Sequence, residues 1–127
     1  MPTTPNYWLP LDPPRMSAGG RWESSARFNT GSDWFSGHFE KFPILPGVAL
    51  LAMISEMVRR QAEETRRVLV VSAFSRVRFK FVVLPDQDLF ISVAAMPSQP
   101  EAKLDFQVSC GEEVVVQGYL KVREGNR

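Results

Sequence analysis

The chain has 127 residues, of which 44% are hydrophobic and 23% are charged, and its formal net charge is +1. These values are typical of one globular domain that is long enough to bury a core. The small net charge argues against nucleic-acid binding through bulk positive charge, and the single cysteine, Cys110, excludes an internal disulfide and a cysteine-rich metal site. We therefore expect no metal and no cofactor.

The sequence also bears on where the protein resides. Its N-terminal residues lack the basic segment followed by an apolar one that marks a signal peptide. The longest unbroken apolar run, Val48 to Ile54, is far too short to cross a bilayer. We expect a cytoplasmic protein.

The first predicted element is an N-terminal arm at residues 1–20, which contains five of the ten prolines. Because proline fixes φ and lacks an N–H donor, we predict an extended segment laid on the domain, with Tyr7, Trp8 and Leu9 as anchors. The domain itself is predicted at residues 21–127. It begins with a strand at residues 21–29, which ends in a turn at residues 29–32.

A helix is predicted next, from Gly47 to Glu64. Its first two turns are apolar on every side, which predicts that they are enclosed, and polar residues enter only from Ser55 onward. Everything after Val68 is typical of β-structure, with strands expected at residues 67–75, 76–84, 88–96, 103–110 and 113–123. Short turns between successive strands predict an antiparallel meander. One enclosed helix with about six such strands predicts an α+β hotdog fold, in which the sheet wraps around the helix.

Two segments carry a resemblance to a known family: "GHFEKFPILPGVALLAM" at residues 37–53 and "VRFKFVVLPDQDL" at residues 77–89. They resemble the β-hydroxyacyl-acyl-carrier-protein dehydratases, whose pattern is Gly-His-Phe-Pro, then Pro-x-x-Pro-Gly before the helix, and later Arg-Phe-x-x-x-Val-x-Pro-Gly-Asp. The resemblance covers roughly residues 21–123. It implies a dimer with the two sheets side by side and an active site at each junction between protomers.

The resemblance also implies a set of catalytic residues. His38 corresponds to the general base, and a histidine with a near-neutral pKa suits removal of the proton next to a thioester carbonyl. The amide of Gly47, at the start of the helix, corresponds to the hydrogen-bond donor to that carbonyl. The family's second catalytic group is a helix carboxylate fourteen residues after the histidine, and that position is Ala52 here.

The missing carboxylate leaves two interpretations of Glu56, which lies one helical turn after Ala52, where the family usually has glutamine. Glu56 could replace the lost acid, since residues i and i+4 share a helix face. Alternatively, it pairs with Arg59 or Arg60 on the solvated end of the helix. Glu40 is a second departure from the family pattern, and it places a carboxylate two residues from His38.

Two further groups of residues are candidates for binding. The predicted acyl-binding residues are apolar and lie near the motif: Phe35, Phe39, Pro46, Ala52 and Met53. The alternative is that these residues belong to the hydrophobic core. A basic row, Arg76, Arg78 and Lys80, is either a solvated strand face or a docking surface for an acidic acyl carrier protein.

Three functional hypotheses result. The first is a dehydratase acting on β-hydroxyacyl thioesters carried by acyl carrier protein or coenzyme A. The second is a non-catalytic hotdog that binds acyl thioesters, or one subunit of a mixed dimer whose partner supplies the carboxylate. The third is an acyl thioesterase, although Ala52 counts against it because hotdog thioesterases generally use a helix carboxylate too.

Overall fold

The computed structural model describes residues 9–35 and 44–125, which form six β-strands, one α-helix and a short 3-10 helix at Asp33–Phe35. The α-helix, α1, spans Gly47–Thr65, one residue beyond the predicted end. The strands have the following bounds: β1 Arg15–Met16, β2 Arg21–Arg27, β3 Leu69–Phe79, β4 Asp88–Ala94, β5 Glu101–Cys110 and β6 Glu113–Glu124.

The six strands form one antiparallel sheet in the order β1-β2-β4-β5-β6-β3. The predicted meander is confirmed for β4, β5 and β6, but it is wrong for β3, which lies at the edge beside β6 instead of next to β4. The place beside β4 is occupied by β2. The helix between β2 and β3 allows this order, because its 19 residues span about 28 Å at 1.5 Å per residue, enough to carry the chain across the face of the sheet.

Strand β3 also differs from the prediction, because one strand replaces the two expected at residues 67–75 and 76–84. The sequence has no turn residue at Ser75 or Arg76, so the strand continues there instead of turning. Its pairing with β6 is interrupted at two places, where the register shifts. The second is a β-bulge. Ser75 lies opposite Tyr119 and Arg78 lies opposite Gln117, so three steps along β3 match two along β6.

The core lies between α1 and the concave face of the sheet, which we call the inner face. Strand β5 shows the alternation that defines this face: Leu104, Phe106 and Val108 are buried, whereas the residues between them are exposed. From the helix, fully buried side chains include Met53, Ile54 and Met57. One helix packed against a six-stranded antiparallel sheet confirms the predicted hotdog architecture.

The helix is enclosed only in part. Val48 is 62% exposed, and Leu51 and Ala52 are half-buried, because a single sheet covers one side of the helix and leaves the other side open. At its C-terminal end, Arg66 takes a left-handed conformation (φ 56°) and its backbone N–H donates to the carbonyl of Glu63. Within residues 9–35 and 44–125, no helix has the length and apolarity that crossing a bilayer requires.

The described part of the N-terminal arm packs on the edge of the sheet. Leu9 and Leu11 are buried in the core, Leu11 forms a β-bridge with Ala26, and β1 pairs with β2. The other predicted anchors, Tyr7 and Trp8, lie outside the described residues. One further contact holds the arm to the helix, since Arg60 donates to the carbonyl of Leu11 at 2.9 Å.

The bulge in β3 depends on a glycine in the neighbouring strand. A Cβ atom at Gly118 would lie 3.0 Å from Cα of Val77, 3.2 Å from the carbonyl oxygen of Arg76 and 3.2 Å from the ring of Phe106. Two of these atoms belong to the backbone and cannot rotate away. Gly118 therefore provides the space into which the bulge fits.

We predict that Gly118→Ala destabilises the protein by about 1–3 kcal/mol, the usual cost of forcing an extra methyl group into a packed region. The free energy of unfolding in urea is the measurement. Gly19→Ala is the matched control, since the nearest described atom to its added Cβ would be Ser17 Oγ at 3.8 Å. Equal stabilities of the two variants would contradict the role given to Gly118.

Candidate functional site

The N-terminus of α1 is the first feature of the candidate site. Pro46 is the N-cap residue in an extended conformation and makes no side-chain cap, and its carbonyl accepts the N–H of Ala49 at 2.9 Å. The N–H groups that begin a helix have no partner within the helix, and they carry the positive end of its dipole. The amide of Gly47 is thus suited by position to donate to an oxygen that gains negative charge.

The ring of Phe79 lies directly against this helix terminus. A Cβ atom at Gly47 would be 2.9 Å from two carbon atoms of the ring, so only glycine allows the ring to come this close without shifting. Phe79 lies opposite the buried Val116 on the inner face, yet it is 50% exposed. The contact with Phe79 therefore gives this glycine a structural reason that is independent of any catalytic role. No pattern in the sequence indicates this contact, which joins residues 32 positions apart.

Two of the predicted site residues, His38 and Phe39, lie outside the described residues, as does Glu40. The described residues on either side are well anchored. Phe35 is buried in the core, and Leu45, also buried, donates its backbone N–H to the carbonyl of Val83 at 2.8 Å.

The other predicted acyl-binding residues have different surroundings. Met53 is fully buried in the core, whereas Pro46 is half-buried at the start of the helix. Ala52 is half-buried beside the core and contributes only a methyl group. Among them, Pro46 and Ala52 lie at the accessible margin of the helix, and the burial of Met53 and Phe35 is typical of core residues.

Glu56 is nearly buried and is held by two arginines of the same helix. Its carboxylate accepts from Nε of Arg59 at 2.9 and 3.0 Å and from Nε of Arg60 at 3.3 Å. Arg59 also pairs with Glu63 on the exposed side. The result is a four-residue charge cluster along one edge of the helix, and Arg60 links it to the arm.

The cluster determines the ionisation of Glu56. Burial by itself raises the pKa of this carboxyl group, but hydrogen bonds from Arg59 and Arg60, together with their positive charges, lower the pKa below its ordinary value of 4.5. The same hydrogen bond raises the pKa of Arg59. A carboxylate in this state accepts hydrogen bonds and is a poor proton donor. These contacts favour the ion-pair interpretation, and the catalytic role of Glu56 stays a prediction.

The basic row divides into two parts. Arg76, Arg78 and Lys80 are all exposed, but only the two arginines line a pocket of about 300 Å³ on the outer face of the sheet. The pocket lies beside the bulge, and Arg76 has a left-handed backbone (φ 51°). The alternation of basic and apolar residues in the sequence predicted that these three residues share one face of a strand. That pattern does not indicate the bulge or the pocket.

The comparison with protein families identifies the class. A family model described as "ApeI-like: ApeI dehydratase" matches residues 15–119. Because this match spans most of the chain, the protein belongs to the ApeI-like dehydratase family.

A relative of known class agrees with this assignment. The chain is 29% identical over 110 residues to the 3-hydroxyacyl-(acyl-carrier-protein) dehydratase FabZ of Clostridioides difficile strain 630, and the match covers 83% of this chain and 78% of the relative.

Solved structures show the shared fold. The dehydratase heterocomplex ApeI:P from Xenorhabdus doucetiae matches with a TM-score of 0.69 and 23% identity, over 89% of this chain and 96% of that chain. The PaaI protein from the phenylacetic acid degradation operon of E. coli matches with a TM-score of 0.66 and 13% identity, over 84% of this chain and 74% of that chain. At these identities the likeness shows the hotdog fold alone.

We predict that Glu56→Gln lowers the free energy of unfolding at pH 7 by about 1–3 kcal/mol, because it removes the charge that two arginines hold near the core. Since the folded-state pKa of Glu56 is lowered, its stabilisation is present above pH 4.5 and is lost as the pH falls through the folded-state value. The difference between wild type and variant should therefore shrink on acidification. Urea unfolding at a series of pH values measures it.

Glu63→Gln is the matched control, because it removes the other carboxylate that Arg59 binds, on a side chain that is 56% exposed. We expect a loss below about 1 kcal/mol for this exposed pair. A Glu56→Gln variant as stable as Glu63→Gln at pH 7 would contradict the structural role of the buried carboxylate.

Proposed function

We propose that the protein is a dehydratase, a hydro-lyase acting on β-hydroxyacyl thioesters in fatty-acid-type metabolism in the cytoplasm. The observation that carries the proposal is the family match over residues 15–119. The helix N-terminus at Gly47 supports it, since an uncapped helix terminus suits the charge that develops on a thioester carbonyl.

The proposed chemistry removes water from the β-hydroxyacyl group. His38 takes the proton from the carbon next to the carbonyl, and the electron pair moves toward the carbonyl oxygen, where the N–H of Gly47 stabilises the negative charge. The double bond then forms as the hydroxyl group leaves from the β-carbon. That group needs a proton to leave as water.

The family's helix carboxylate would supply this proton, but Ala52 occupies its position, so another group has to donate it. Glu56 is one candidate, but its arginine contacts keep it charged. The protonated His38 is another, because it holds the proton that it has just removed. Loss of a general acid typically reduces the rate by 10²–10⁴, so slow turnover by His38 alone is physically consistent.

A second candidate function is favoured by Ala52 itself. A subunit without the acid can bind acyl thioesters without turning them over, or it can join a partner subunit that supplies a carboxylate. The ApeI:P structure from Xenorhabdus doucetiae is a dehydratase heterocomplex, which is a precedent for mixed assembly among proteins of this fold. An acyl thioesterase is disfavoured by the same alanine.

The carrier of the substrate is part of the proposal. Arg76, Arg78 and Lys80 are exposed and, among the described residues, none of them is paired with a carboxylate. An acyl carrier protein with an acidic surface would be attracted to this row by charge complementarity. Coenzyme A is the alternative carrier.

We also propose that the protein is a homodimer or a higher homo-oligomer. Strand β3 lies at the end of the sheet, so one side of it offers unpaired backbone groups. Exposed apolar side chains cluster in the sequence around its C-terminal end and at the start of the helix: Val48, Phe79, Phe81, Val82 and Leu84. An apolar group of this kind beside an open strand edge suits a protein–protein contact.

The first test follows the enoyl product by mass after incubation with a β-hydroxyacyl-carrier thioester. We expect Ala52→Glu to raise turnover above wild type, because it restores a carboxylate at the family spacing from His38. We expect His38→Ala to abolish turnover in either background, since it removes the base. Turnover that survives His38→Ala would contradict the proposed mechanism.

Glu56→Gln separates the remaining possibilities in the same assay. Loss of wild-type turnover in this variant, with stability allowed for at the assay temperature, identifies Glu56 as the substitute acid. If neither wild type nor Ala52→Glu forms the enoyl product while both still bind acyl thioesters, the protein is a non-catalytic hotdog that binds acyl thioesters.

The second test concerns assembly. We expect light scattering at micromolar concentration to give at least twice the chain mass of 14.4 kDa. We expect Val82→Asp to shift the protein toward monomer, because it places a charge among apolar contacts. Phe90→Asp is the matched control, as Phe90 is 46% exposed but lies on β4, away from this edge. A monomeric wild type would contradict the dimer.

A further inference from the structure

The pocket beside the β3 bulge is a second candidate site, separate from the helix N-terminus. It has a volume of about 300 Å³ and lies on the outer face of the sheet, where Arg76, Arg78, Asp105, Gln107, Gln117 and Tyr119 contribute to its lining. Phe106 and Gly118, which alternate with these residues along β5 and β6, complete the lining, and the side chain of Phe106 is buried in the core with those of Leu104 and Val108. The sheet itself therefore separates this pocket from α1.

The pocket carries an excess of positive charge. Among the described residues, neither Arg76 nor Arg78 forms an ion pair. The one carboxylate in the lining, Asp105, is already paired with Arg21 at 2.9 Å. Lys103 adds a further cation at the rim, with Nζ 4.6 Å from the centre of the Tyr119 ring. Two guanidinium groups are thus available to an anion.

The bulge explains why a pocket exists on an otherwise regular surface. The extra residue between Ser75 and Arg78 interrupts the pairing with β6, and Arg76 takes a left-handed conformation there. This conformation costs free energy in any residue with a side chain and is easiest for glycine. An arginine at this position therefore places a cation at the pocket against the local backbone preference.

We propose that this pocket binds a phosphate monoester. A phosphate monoester carries up to two negative charges and three acceptor oxygens, which matches two separate guanidinium groups. A carboxylate would be satisfied by one guanidinium fork and would leave the other unpaired. The amide groups of Gln107 and Gln117 and the hydroxyl of Tyr119 are neutral donors in the same lining.

The size of the pocket points to more than a free ion. A volume of about 300 Å³ exceeds that of a phosphate group, so part of the attached organic group also fits. A nucleotide such as coenzyme A and a simple phosphate ester both supply the required chemistry. Because the pocket lies on the outer face, binding there does not depend on dehydratase turnover.

The experiment titrates the intact protein with glycerol 3-phosphate and with coenzyme A, using isothermal calorimetry for affinity. We expect saturable binding of at least one of them, and a loss of roughly tenfold or more in affinity when either arginine of the pocket is removed. The variants are Arg78→Gln and Arg76→Gly. Glycine suits the left-handed backbone, so Arg76→Gly removes the cation while the bulge stays intact.

Arg123→Gln is the charge-matched control, because Arg123 is an exposed residue of β6 that does not line the pocket. We expect its affinity to stay within about twofold of wild type if binding is local to the pocket rather than a response to overall charge. Urea unfolding of Arg76→Gly confirms that the fold is retained. The proposal is wrong if neither probe saturates, or if the two pocket variants and Arg123→Gln lose affinity equally.

Discussion

Burial of α1 against the inner face of the sheet is the interaction on which the rest of the structure depends. Met53, Ile54 and Met57 have no exposed surface, and each such side chain contributes about 1.5–3 kcal/mol when it leaves water. The helix also separates β2 from β3 along the chain and so determines the order of the strands. The packing of the helix places Gly47 beside Phe79, and this contact fixes the position of the helix N-terminus, which is the candidate site.

The same helix changes character along its length, and the two parts serve different purposes. The N-terminal half packs one side in the core, through Ala49, Leu50 and Met53, and has its uncapped end at the candidate site. The C-terminal half carries the cluster around Glu56, and Arg60 ties that cluster to the arm at Leu11. A carboxylate held in this way stabilises the fold, and the contacts that hold it also oppose proton donation. The structural role of Glu56 therefore opposes its predicted role as a proton donor.

Much of this fold could be predicted because its signals are local. The apolar run and the glycine after Pro46 predicted the helix to within one residue, and the alternation in β5 predicted its buried face. The i+3 and i+4 spacing indicated the pairing of Glu56 with Arg59 and Arg60 as one of two interpretations. In contrast, the place of β3 in the sheet and the contact of Phe79 with Gly47 depend on residues far apart in sequence, for which one chain carries no direct pattern.

The bulge at Arg76 has the same non-local origin, since the space for it comes from Gly118 in another strand. It also has a consequence for how the family can vary. Three steps along β3 match two along β6, so deletion of one residue between Ser75 and Arg78 would remove the bulge and restore regular pairing, with Arg78 and Phe79 still on their present faces. Side chains alternate with a period of two in the regular parts of the strand, so a deletion there would exchange the faces of the residues that follow, up to the point where another bulge restores the register. The bulge is therefore the part of β3 that best tolerates the loss of one residue, and an alignment that places a gap there keeps the assignment of residues to the two faces of the sheet.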